Sequence, residues 1–247
     1  MKKLSELFNI RKGDVVSIVG SGGKTTMLFK LAEELKEQYR VLVSTSTKIG
    51  KPSEDKCDYL YIGVESYINR SDSNTDKNGI TVVSKGINLG NNKLFGIDDE
   101  DLDVLINDFD IVLLEADGSR RLPAKGWKDN EPPILKRTNK TIGIIPSEII
   151  NKRTSSDFIY GFDEFNKLTD YSEYVDFEAI GKICSKENGL FKNSRGRLYL
   201  YLNKTDTEEK IILSKKLSGY LKEFIVGRPY DFKICAGSFK KGSYYEC

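Results

Sequence analysis

The chain has 247 residues, with 39 Lys and Arg against 37 Asp and Glu and a formal charge of +2. That length carries a sizeable core in one α/β domain spanning residues 1–247, and the near balance of charge calls for no nucleic acid and no anionic membrane as partner. Histidine is absent, and Cys57, Cys184, Cys235 and Cys247 lie far apart, which removes imidazole chemistry and argues against a zinc site or a disulfide framework.

Residues 4–8 form a short amphipathic stretch after Met1, Lys2 and Lys3, not the apolar centre of a signal peptide. No apolar run approaches membrane-spanning length, so a cytoplasmic, reduced protein is expected. The apolar run 15–19 reads as a buried strand. Residues 25–36, with Leu28, Leu31, Ala32 and Leu35 at helical spacing, read as the helix that follows it. A second strand at 40–43 ends in Ser44, Thr45, Ser46, Thr47 and Lys48. Short strands are expected at 59–62 and 80–83, with a polar surface loop over 69–79 between them. A helix at 98–107 and strands at 110–114 and 141–145 come next. A helix at 177–184, a strand at 197–202, a helix at 207–221 and a last strand at 232–235 complete the series. The alternation predicts a mostly parallel sheet with helices on both faces, and ligands at the carboxyl ends of the strands.

Gly20, Ser21, Gly22, Gly23, Lys24, Thr25 and Thr26 stand between the first strand and the first helix. Glycines there let backbone N–H groups approach an anion closely. The helix N-terminus adds partial positive charge, Lys24 a full charge, and the Thr25 hydroxyl a ligand for Mg2+. This reads as a phosphate-binding turn, the other reading being a glycine-rich β–α turn whose Lys24 merely starts the helix, and the expected architecture is a P-loop NTPase-like three-layer fold. The turn is a shortened variant, because the position where the full pattern has its first glycine is Ile18.

The strand at 110–114 delivers Glu115 and Asp117. A carboxylate ending a buried strand is the expected second half of a nucleotide–magnesium site, with Glu115 and Thr25 as protein ligands. Asp117 could orient a nucleophile or share the metal, and Asp117-Gly118 is equally an ordinary turn dipeptide. Residues 118–137 hold Arg120, Arg121, Lys125, Lys128, Lys136 and Arg137 with three prolines, and read as a basic loop bordering the site. Arg120, Arg121 and Lys125 stand nearest the carboxylates and suit a clamp for charge on a transferring phosphoryl group, while a solvated loop accounts for most of these residues singly; Lys24, Asp117, Arg120 and Lys125 are the candidate catalytic residues. Residues 44–48 fit either hydroxyl contacts to magnesium or phosphate, or a β-branched strand end with a cap.

Asn203, Lys204 and Asp206 follow the strand at 197–202 in an Asn-Lys-x-Asp pattern. An aspartate there accepts from the ring N–H and amino group of guanine, which adenine does not offer, so GTP is placed ahead of ATP. Residues 235–238 could complete the base pocket with backbone N–H groups. A turn after a strand accounts for the same residues.

The glycine turn, then residues 44–49, then residues 113–125 with their Glu-Ala-Asp-Gly centre, then Glu131-Pro132, together resemble the YqeC family, accessory proteins of selenium-dependent molybdenum hydroxylases. The resemblance runs in order from about residue 17 to 206. Lys24, Thr25, Glu115, Asp117 and Lys125 match the family pattern, while Asn130 stands where that pattern has a histidine. The resemblance implies action in maturing a selenium-dependent molybdenum hydroxylase or its cofactor, with that hydroxylase or its maturation proteins as partners. The short turn also resembles that of Mur-type ligases, where a strand-terminal Glu helps hold magnesium. Two kinds of activity are compatible with the chain: an NTP-dependent hydrolase, ligase or kinase acting on a small acceptor, and a nucleotide-gated delivery switch with slow hydrolysis.

Overall fold

The computed structural model describes residues 2–70, 77–227 and 229–247, so most of the loop expected at 69–79 lies outside the described residues. In chain order the elements are α1 (Leu4–Leu7), β1 (Val15–Gly20), α2 (Lys24–Leu35), β2 (Arg40–Thr45), β3 (Lys48–Gly50), β4 (Tyr59–Ile62), α3 (Val64–Ile68) and β5 (Gly79–Ser84). Then come β6 (Gly86–Asn88), β7 (Lys93–Phe95), α4 (Asp99–Leu105), β8 (Ile111–Glu115), β9 (Ala124–Lys125), β10 (Lys140–Pro146) and β11 (Ile159–Tyr160). The series ends with α5 (Phe162–Leu168), α6 (Phe177–Ser185), β12 (Arg197–Asn203), α7 (Glu208–Phe224), β13 (Phe232–Ser238) and β14 (Ser243–Glu246).

Nine strands form one sheet in the order β14-β13-β12-β10-β1-β8-β2-β5-β4. All neighbours run parallel except the β13–β14 pair. The central strands are buried on both faces, which is why they read as near-continuous apolar runs. Val16 and Ile18 of β1, Leu113 of β8 and Tyr199 of β12 face a core shared with α1 and with Met27, Leu28 and Leu31 of α2. On the other face Val19, Leu200 and Leu202 pack with α5, α6 and α7. Also on that face, Val15, Val112 and Leu114 pack with Tyr67 of α3 and Leu102 and Leu105 of α4. Each fully buried side chain of this kind stabilises the fold by about 2 kcal/mol, so strand placement follows the apolar runs. The result is a three-layer P-loop NTPase-like α/β fold.

Three parts of the chain depart from the sequence reading. The strand expected to be last, at 232–235, extends to Ser238 and is followed by β14, which turns back antiparallel on it. The basic segment at 118–137 is not all loop, because β9 pairs in parallel with β11. A separate antiparallel sheet, β3-β7-β6, stands beyond the ends of β2 and β5, anchored by Ile49 and Leu94 in the α2-side core.

The topology gathers the carboxyl ends of distant strands. β8 inserts between β1 and β2, so Glu115 lies in register with Ile18 on one side and Thr45 on the other. β10 lies on the other side of β1, with β12 beyond it, which brings Pro146 and Asn203 level with each other beside the glycine turn.

Candidate nucleotide site

The turn between β1 and α2 needs its glycines. Gly22 has φ +71, and a Cβ there would strike the Pro146 ring. Gly23 has φ +140, and a Cβ there would collide with the Asn203 amide. The backbone therefore passes close under β10 and β12 in a conformation that side chains rarely adopt. The first bond into α2 runs from the Met27 N–H to the Gly23 carbonyl at 2.9 Å. The N–H groups of residues 24–26 thus leave the helix end without intrahelical acceptors, and no side chain caps them. Lys24, only 5% exposed, curls over the turn and donates to the Gly20 carbonyl at 2.7 Å and to Ser119 Oγ at 3.4 Å.

Thr25 faces the cleft and donates its hydroxyl to Glu115 Oε2 at 2.6 Å. Burial at the end of β8 raises the Glu115 carboxyl above its ordinary value, against the opposing pull of the Lys24 charge and the Thr25 hydrogen bond. Among the described residues no cluster of three or more His, Cys, Asp or Glu is placed to hold a metal. One carboxylate and one hydroxyl are a donor set for a hard cation that keeps most of its ligands as water or substrate oxygen, as Mg2+ does.

Asp117 lies behind the turn and does not line the cleft. Its Oδ2 accepts from the Gly20 N–H and from the Trp127 indole N–H, each at 2.9 Å, and its Oδ1 accepts from Lys125 Nζ. The Asp117 and Lys125 side chains are fully buried, and Lys125 also reaches the Gly118 carbonyl at 2.6 Å and Glu131 Oε1 at 3.1 Å. These residues fix the turn from beneath.

The basic segment divides. Arg120 and Arg121 are exposed on the cleft wall, both in left-handed backbone (φ +48 and +66), with the Arg120 guanidinium 5.4 Å from the Tyr160 ring centre. Lys136 and Arg137 are drawn away to Asp99 and Asp103 on α4. At residues 44–48, Ser44 donates to the Val83 carbonyl, Thr45 to the Glu115 carbonyl and Ser46 to the Pro133 carbonyl, each at 2.6 Å. These bonds are structural, and only Thr47 and Lys48 of the segment line the cleft.

On the opposite side Asn203 donates its amide to the Gly22 carbonyl at 2.7 Å, while its buried Oδ1 has no partner. Lys204, at φ +62, pairs with Glu148, and Asp206 Oδ1 accepts from Ser238 Oγ. Lys204, Asp206 and Phe239 line the same cleft as Lys24, Thr25 and Glu115. The structure thus brings Gly22 to Thr26, Glu115, Arg120, Asn203, Lys204 and Asp206 to one cleft. It sets Gly20, Ser21, Asp117 and Lys125 behind it. Ser119, Trp127, Glu131 and Phe239 join this arrangement unexpectedly. Trp127, as the single tryptophan of the chain, and Glu131, beside the Pro132 of the family pattern, were the available signals.

A family model described as "YqeC protein" matches residues 16–163. The chain is 30% identical over 188 residues to "Uncharacterized protein YqeC" of Escherichia coli (strain K12), an alignment covering 74% of this chain and 72% of that protein. No solved structure matches the chain.

Proposed function

The chain belongs to the YqeC family, and from that premise we propose that it is a Mg2+-dependent nucleoside triphosphate-binding protein, GTP ahead of ATP, and an NTPase. The observation that carries the reading is the convergence at one glycine turn of Lys24, an uncapped helix N-terminus and the bonded Thr25–Glu115 pair. The turn and helix N–H groups bind the phosphate oxygens, and Lys24 exchanges the Gly20 carbonyl for a phosphate. Thr25 and Glu115 would hold Mg2+, which when bound neutralises charge on the triphosphate. Arg120 and Arg121 stand ready to neutralise the rest. Asp117 and Lys125 act as positioning residues that hold the Gly20 amide and the cleft wall in place.

Asn203 ties the base-reading segment to the phosphate turn, and Asp206 offers a carboxylate to the guanine edge. The client comes from the family resemblance: maturation of a selenium-dependent molybdenum hydroxylase or its cofactor. No helix among the described residues is long and apolar enough to cross a membrane.

A titration with GTP, ATP and xanthosine triphosphate tests the base assignment. Wild type should bind GTP most tightly, and Asp206→Asn should move the preference toward xanthosine triphosphate, because the swap reverses donor and acceptor at the base edge. Tighter binding of ATP than GTP by wild type would refute it.

A further inference from the structure

The cleft is about 2130 Å³, whereas a pocket for one drug-sized ligand holds about 300–1,000 Å³. It continues past the phosphate turn. Along the sheet the base-reading segment ends β12, the glycine turn ends β1, Glu115 ends β8, and Thr47 follows β2. A triphosphate whose base sits at Asp206 therefore points its terminal phosphate toward β2. Beyond that point the cleft continues as an arm lined by the exposed side of α2 on one hand and by β3, the segment 51–56 and Lys93 of β7 on the other.

That arm is positively charged. Eleven Lys and Arg but six Asp and Glu line the whole cleft, an imbalance that the chain as a whole, with 39 against 37, does not share. The acids of the arm are already matched: Glu33 pairs with Lys36 at 2.9 Å and Asp55 with Lys56 at 3.2 Å. Lys30, Lys51, Lys93 and Arg121 have no ion-pair partner among the described residues, and Lys48 rests only on the Phe95 ring, 5.2 Å from its centre. A concave wall of unmatched cations focuses a field that raises the local concentration of anions.

Resting on the nucleotide reading above, we propose that this arm is a subsite for a second, phosphate-bearing small molecule, held beside the terminal phosphate by Lys30, Lys48, Lys51 and Lys93. β3 and Lys93 of β7 supply its outer wall.

Inorganic pyrophosphate at low ionic strength is the probe, titrated by calorimetry. In a Lys24→Ala background, which disables the phosphate turn, pyrophosphate should still bind. Adding Lys51→Glu and Lys93→Glu should weaken it roughly tenfold, whereas Lys215→Glu with Lys216→Glu, on the exposed side of α7, should leave it as it was. Wild type saturated with Mg2+ and a non-hydrolysable GTP analogue should also retain pyrophosphate binding. No binding in the Lys24→Ala background, equal loss in both pairs of reversals, or complete competition with the analogue would overturn the proposal. The nucleotide reading fails on a separate result, equal affinity of wild type and Lys24→Ala for the analogue.

Discussion

Asp117 shows most clearly what a residue's surroundings add to its identity. Its position two residues after a strand-terminal glutamate suited a metal partner or an orienting base. The structure gives its carboxylate three donors, from Gly20, Trp127 and Lys125, with no solvent. Those partners lie 97, 10 and 8 positions away in the chain, so only the fold reveals them. By contrast the meeting of Thr25 and Glu115, 90 positions apart and bonded at 2.6 Å, was expected from a glycine turn and a strand-terminal carboxylate at the carboxyl ends of one parallel sheet. A buried pair broken on one side leaves an uncompensated charge, which costs about 3–5 kcal/mol. Asp117→Asn should therefore lower unfolding free energy in denaturant by about that amount, and Asp117→Asn with Lys125→Met should recover part of it. A single-variant change below about 0.5 kcal/mol, the size of an ordinary surface substitution, would show that the pair does not support the turn.

At the scale of elements, the parallel strands were readable because burial on both faces leaves mostly apolar side chains. The small sheet was not, since β3 and β7 are three residues long and each buries one side chain, Ile49 and Leu94. The paired strands β9 and β11 have two residues each, too short for any period to register. Strand ends away from the cleft are tied by charge. Burial of Asp110 opposes its ionisation, but the Arg40 guanidinium and backbone N–H and the Lys12 ammonium outweigh it and hold the carboxyl well below its ordinary value of 3.8. A depressed folded value means that this stability is fully present above that ordinary value and is lost as the pH falls below it. Asp110→Asn should cost about 1–2 kcal/mol at neutral pH and flatten the acid limb of the stability curve. It should leave nucleotide affinity alone, because Asp110 opens β8 while the cleft lies at the strand's other end. An acid limb identical to wild type would contradict the assignment.

The molecule as a whole reads as one main sheet with the candidate site residues gathered on its carboxyl edge. The mostly parallel sheet was readable from the alternation of strands and helices, whereas its order and the insertion of β8 between β1 and β2 come from the fold. The size of the cleft and the wall beyond the glycine turn were not readable, because they depend on where short, weakly patterned segments come to rest. What holds the functional account together is the claim that Gly20 to Thr26 binds a magnesium triphosphate. The most direct check is a titration of a fluorescent GTP analogue against wild type and Lys24→Ala, each with and without Mg2+. Tight binding is expected only by wild type with Mg2+, weakened roughly tenfold or more by loss of either the metal or the Lys24 ammonium, as for a charge-assisted contact to phosphate. Equal affinity in wild type and Lys24→Ala would contradict it.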